Sequence, residues 1–172
     1  MTDQLNLDGI PEDELGRFLA FRGKVAGTNI SETTLLATDY LNHFNEIIML
    51  LEMVPDMPDI LEECKAWAPK SYADHFHDST FRDKELAVEA YGAVPTKFRQ
   101  PFEDTIGQMD RLVPMSIGHL EQILATGDMD LLRIKAQACS RGLQRLMDVA
   151  SGIIHGSAIT MEQDQIDDLM GF

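Results

Sequence analysis

Basic side chains are scarce: 14 Lys and Arg stand against 29 Asp and Glu, a formal net charge of −15. That balance excludes a nucleic-acid partner, which needs clustered Lys and Arg to meet phosphates. It equally excludes an anionic membrane surface as partner. Its complement is solvent or a basic protein surface. Cysteine is scarce too. Cys64 and Cys139 form no CxxC pair and sit in apolar helical contexts, so they read as buried thiols rather than a disulfide or a metal site. No apolar run approaches the ~18 residues of a membrane span. The N-terminal MTDQLNLDGIPEDELG is acidic and lacks the apolar run of a signal peptide, which points to the cytoplasm. Period-two alternation, internal repeats, a Gly-rich phosphate loop and a Ser/His/Asp order do not stand out.

What is present is helix period. A chain of 172 residues, 44% hydrophobic and 25% charged, suits one globular domain with a real core. Pro11 followed by Glu12, Asp13 and Glu14 opens a first helix, ended by Gly27 and Asn29. Ser31 reads as the cap of a second, with Leu41, Phe44, Ile48 and Leu51 on its buried face. The two prolines of VPDMPD (54–59) break it. Asp59 can cap a short helix through Leu61, Cys64 and Trp67, and residues 69–79 read as irregular. Another short helix follows over 80–93. Pro101 opens a long one whose apolar positions are Phe102, Ile106, Met109, Val113, Ile117, Leu120 and Leu124, with Pro114 expected to kink it. After the turn Thr126-Gly127-Asp128, Leu132, Ala136, Cys139, Leu143, Leu146, Ala150 and Ile153 keep a strict 4-3 spacing. Such a face can pair with a second copy as a homodimer or close an intramolecular core; the domain's size favours the core. The expected fold is all-α: an antiparallel helical bundle over residues 1–156, then a linker and docking peptide over 157–172.

The tail, SAITMEQDQIDDLMGF, carries no Lys or Arg. Thr160 can cap a final helix, with Glu162, Gln163 and Asp164 in its first turn. Ile166, Leu169 and Met170 share one face at i, i+3 and i+4, with Asp167 and Asp168 largely off it and Phe172 closing the chain. A helix of about ten residues is marginal alone in water. It is therefore expected to order on a partner, laying three or four apolar anchors into a groove rimmed by basic residues. The stretch QDQIDDLMGF (163–172) resembles the C-terminal peptide of the chemotaxis phosphatase CheZ and the N-terminal peptide of the flagellar switch protein FliM. Both bind the receiver domain of CheY as short helices. The resemblance implies a CheY-like response regulator as partner, with Ile166, Asp167, Asp168, Leu169, Met170 and Phe172 as the contact residues.

Asp104 and Gln108 lie one helical turn apart on a face offset from the apolar stripe. A carboxylate there can engage a partner's lysine, and an amide can orient water for in-line attack on a phosphoryl group. Phosphoryl transfer rewards positioning and charge placement, so it demands no nucleophile of this chain. The pentapeptide Asp104-Thr105-Ile106-Gly107-Gln108 also resembles CheZ, whose catalytic motif is Asp-Leu-Thr-Gly-Gln on a bundle helix. It implies that Asp104 pairs with the receiver's lysine and Gln108 places the attacking water. The receiver would supply the phospho-aspartate and the Mg²⁺, with no cofactor in this chain. The flanks depart from that family: Pro101 and Pro114 bracket the motif, and the linker HGSAIT is short.

Two other readings stand beside this one. One is a non-catalytic adaptor or phosphate sink using the same tail. The other is a helical bundle binding a metal or a small molecule, its tail merely structural. His43, Glu46, Glu52, His75, His77 and His119 invite the metal reading, but no Glu-x-x-His pair is present. His43 and His119 lack the basic neighbours a phosphotransfer histidine needs. Residues 67–85 gather Trp67, Tyr72, Phe76 and Phe81 with two histidines, as a binding loop or a lid on the core would.

Overall fold

The 4-3 seam becomes the core. In the computed structural model, which describes residues 7–157 and 160–171, Leu132, Ala136, Cys139, Leu143, Leu146, Ala150 and Ile153 are all fully buried within the single chain. They lie on α7 (Met129–Ile154), which packs along α6 (Thr96–Thr126) as the most extensive helix pair. Gly127, at φ +76° in the left-handed region, ends α6, and the Asp128 side chain accepts the Leu131 amide to start α7.

All regular structure among the described residues is helical, with no strand among them. Before α6 come α1 (Glu12–Val25), α2 (Asn42–Met53), α3 (Leu61–Ala66), α4 (Tyr72–Asp78) and α5 (Lys84–Tyr91); α8 (Gln163–Met170) follows α7. α2 packs on α7, tied by Glu52, whose Oε1 accepts from Ser140 Oγ at 2.8 Å and Gln144 Nε2 at 2.9 Å. No described helix is long and apolar enough to cross a membrane. Both cysteines are free and buried, and burial pushes the Cys64 thiol up to about 11.

The structure corrects several boundaries. Ser31 caps no helix. Its hydroxyl accepts the Thr33 amide in a turn that holds Leu35 at φ +68°, and α2 begins only after a 3-10 turn at Thr38–Leu41. The reason is buried and non-local: Thr34 Oγ1 donates to the Ile154 carbonyl at 2.6 Å, satisfying an otherwise unpaired acceptor at the end of α7. Asp59 lies in a second 3-10 turn, and α3 has no side-chain cap. Residues 72–78, read as irregular, form α4, because the Ser71 side chain accepts the Asp74 amide. α6 begins five residues before Pro101 and runs through both Pro101 and Pro114. Each proline removes one N–H from the i→i−4 ladder without ending the helix, since an apolar stripe on both sides holds the segment in place.

Candidate functional site

The two features that drew attention in the sequence lie far apart in the chain and meet in space. Gln108 Nε2 donates to the Met161 carbonyl at 3.0 Å, across 53 residues of chain. Asp104, Gln108 and Arg111 from α6 and Met161, Glu162 and Gln163 from the tail line one cavity of about 710 Å³. Asp104 is exposed, and its Oδ1 accepts from Gln100 Nε2 at 3.0 Å, one turn back. The Gln108 Oε1 oxygen is buried and has no hydrogen-bond partner. The amide thus spends one N–H on Met161 and keeps its second N–H and its oxygen unspent.

Arg111 is the member that sequence reasoning missed. It lies i+3 from Gln108 and i+7 from Asp104, on the same helical face, so the spacing carried the signal. A Cβ built on Gly107 would stand 3.3 Å from Arg111 Nη1, so the guanidinium lies back along α6 toward Gly107. The cavity therefore combines a carboxylate, an amide and a guanidinium.

α8 folds onto the chain's own bundle, chiefly α7. Ile166 and Met170 are 2% and 1% exposed, while Leu169 is 40% exposed and Asp168 faces solvent. Asp167 is half-buried and accepts from Gln163 Nε2 at 3.0 Å. Thr160 is not the cap. Glu162 is, in a reciprocal capping box with Gln165, whose Oε1 accepts the Glu162 amide at 2.9 Å. Gly171 ends the helix at φ +68°, and Lys135 Nζ donates to its carbonyl at 2.9 Å. Gly142 makes the seat for Met170: a Cβ there would come within 2.3 Å of Met170 Sδ. Phe172 lies outside the described residues.

The magnitudes say how firmly α8 is held. Burying two large apolar side chains contributes about 3–6 kcal/mol. Only Ile166 and Met170 of α8 are buried, so a partner offering comparable pockets can compete for the helix.

The other histidines and acids do not assemble into a metal centre: among the described residues no three His, Cys, Asp or Glu side chains come together in a suitable group. His75 Nε2 pairs with Asp39 Oδ2 at 2.9 Å, and His43 stacks on Trp67 with ring centroids 4.8 Å apart. Residues 67–85 thus finish the core with an aromatic cluster, in which Tyr72 stacks on Tyr91 at 4.4 Å.

Two half-buried groups set a pH dependence of opposite sign. Burial pushes the Asp110 carboxyl up to about 6, with Arg111 opposing. Burial pushes the His43 imidazole down to about 4, aided by His75 and Lys70. As pH falls through about 6, the folded chain takes up a proton at Asp110 before the unfolded chain does, which favours folding. As pH falls below the ordinary histidine value of 6.5, the unfolded chain takes up a proton that folded His43 refuses, which disfavours folding. Asp110→Asn is therefore expected to stabilise the protein by about 1–2 kcal/mol at pH 7.5, after discounting for solvent screening. That gain should shrink toward zero near pH 4. Urea titrations of both proteins across that range measure it; a gain that grows on acidification contradicts the assignment.

Comparison with protein-family models, with curated proteins and with solved structures finds no match for this chain.

Proposed function

We propose that this protein is a helical regulator that binds a CheY-like response-regulator receiver domain through its C-terminal helix and dephosphorylates it through Asp104 and Gln108. The observation that supports this reading most is the meeting of the tail with the Asp104–Gln108 face in one cavity. Once α8 leaves that seat, a receiver it carries stays tethered by residues 155–162 to α7, beside the helix that carries the carboxylate and the amide.

The tail cannot be seated on α7 and on a partner with the same face, because Ile166 and Met170 serve as anchors in both positions. Binding is therefore an exchange: α8 leaves Gly142 and Lys135, and the receiver takes Ile166, Leu169 and Met170. Leu169, exposed in the folded-back position, is the first anchor a receiver meets. Release also frees the Gln108 amide from Met161, so docking of the tail and freeing of the amide are one event. In the reaction, Gln108 orients water for in-line attack on the receiver's phospho-aspartate, while Asp104 engages the receiver's lysine. The receiver's Mg²⁺ neutralises charge on the phosphoryl oxygens. Arg111 stands where it can add to that neutralisation.

The test is the decay of a phosphorylated receiver in Mg²⁺, with and without this protein. Faster decay is expected; decay equal to that in buffer removes the phosphatase claim and leaves the adaptor. Association should also slow as salt rises through about 0.1 M, where the Debye length is ~10 Å, because the tail's four acidic side chains would meet a basic rim. Stopped-flow binding at 20 and 300 mM salt measures this, and a rate indifferent to salt would assign those acids to solvent alone.

A further inference from the structure

Asp110 is a half-buried acid that the receiver reading does not use. Its Oδ1 oxygen is buried and meets no hydrogen-bond donor. Pro114, four residues on, has no N–H, so the Asp110 carbonyl also lacks its helical donor. Two acceptors are thus left short at one point of α6, which is costly unless something supplies donors there.

Space for a donor adjoins them. Asp110 and Pro69 line two neighbouring cavities, of about 400 Å³ and 300 Å³. The larger is bounded by Tyr40, Tyr72, Tyr91, Phe102 and Glu103. Each of its phenol oxygens has a partner of its own, and the Tyr40 and Tyr91 hydrogens are spent on it. Tyr40 Oη donates to the Lys70 carbonyl at 2.6 Å, Tyr72 Oη accepts the Ala37 amide at 2.9 Å, and Tyr91 Oη donates to Glu103 Oε1 at 2.6 Å. Lys70 lines the cavity, but its ammonium pairs with Asp78 at 3.0 Å. The smaller cavity is bounded by Trp67 and by Lys65, whose ammonium pairs with Glu62 at 2.9 Å and Glu121 at 3.1 Å.

The result is an aromatic pocket with an unmatched carboxylate, in a chain of net charge −15. An anion is repelled there, and a neutral apolar molecule leaves the Asp110 oxygens unpaired. An ammonium group on an apolar body satisfies both features, with aromatic rings adding to the attraction for a cation. We propose that the cleft beside Asp110 binds a small organic amine, its ammonium set against Asp110 and its apolar body among Tyr40, Tyr72 and Phe102. This site is separate from the receiver reading and stands whether or not that reading does.

The test uses the full chain and three probes of one shape: phenethylamine, 2-phenylethanol and phenylacetate. Trp67, the one tryptophan of the chain, borders the smaller cavity and reports occupancy by its fluorescence, with calorimetry as the second readout. Phenethylamine is expected to bind saturably, and the alcohol and the acid at least ~10-fold more weakly, which is ~1.4 kcal/mol. Asp110→Asn, which is expected to fold more stably, should lose ~10-fold or more of the amine affinity and keep the alcohol's. Amine affinity should also fall as pH drops through about 6, where Asp110 takes up its proton. The other charged or titratable groups around Asp110 are Arg111 and Glu103 on α6, the paired Lys65 and Lys70, Glu121 and the three tyrosines. The proposal is overturned if the amine shows no saturable binding, if the alcohol binds as well, or if Asp110→Asn binds the amine unchanged.

Discussion

Gln108→Ala is expected to slow dephosphorylation of a bound receiver by about 10²–10³-fold, the loss typical when one positioning group aimed at a transition state is removed. Receiver binding should hold or tighten, because the same change removes the hydrogen bond that keeps Met161 on α6. That split matters. A residue that merely supports the fold would lower binding and turnover together, whereas one acting in the transition state lowers turnover alone. Asp104→Asn should weaken both modestly, since a charge facing the receiver's lysine contributes to the complex and to the reaction. Single-turnover decay and equilibrium binding, measured on the same variants, separate the two roles. If wild type accelerates decay and Gln108→Ala does so equally, the enzyme stands and the site assignment falls.

Gly142→Leu is expected to evict α8 from the bundle. A Cβ alone at this position would sit 2.3 Å from Met170 Sδ and 3.6 Å from Leu112 Cδ2, so a leucine side chain takes the space that Met170 fills. Because α8 buries only Ile166 and Met170, losing one of these two anchors should leave it largely undocked. Hydrogen exchange of amides 166–170 should accelerate by at least ~10-fold, while amides in the α7 seam keep their protection. If the whole bundle loses protection instead, α8 is part of the cooperative core, and exchange onto a partner is too costly to be its role.

The α6 and α7 core was legible because burial repeats with helix period: every seam residue from Leu132 to Ile153 is buried as its spacing implied. Ile166 and Met170 were legible as apolar anchors for the same reason. What stayed hidden was long-range. Nothing near Ser31 in sequence says that Thr34 will cap the end of α7. Local proline rules placed the start of α6 at Pro101, but packing on both sides carries the helix through it. The tail's amphipathic face was read as needing a partner's groove, because no local spacing signals that Gly142 on α7 offers one. In this structure the groove is the chain's own, formed where Gly142 leaves room for Met170. Arg111 was visible by spacing and overlooked because the carboxylate–amide pair alone matched the resemblance. Asp110 was not singled out from the sequence, since its half-burial comes from long-range neighbours: Pro69, Lys70 and Tyr72 line the same cleft.

The central claim is that the C-terminal helix exchanges between the bundle and a receiver domain. Its most direct test is the affinity of one CheY-like receiver, held in its phosphorylated state, for three proteins: wild type, Gly142→Leu and a truncation lacking residues 161–172. The exchange account predicts that Gly142→Leu binds about 10-fold more tightly than wild type, because the self-docking that competes is gone. The truncation should not bind. A truncation that binds as well as wild type, or a receiver that binds none of the three, contradicts the account.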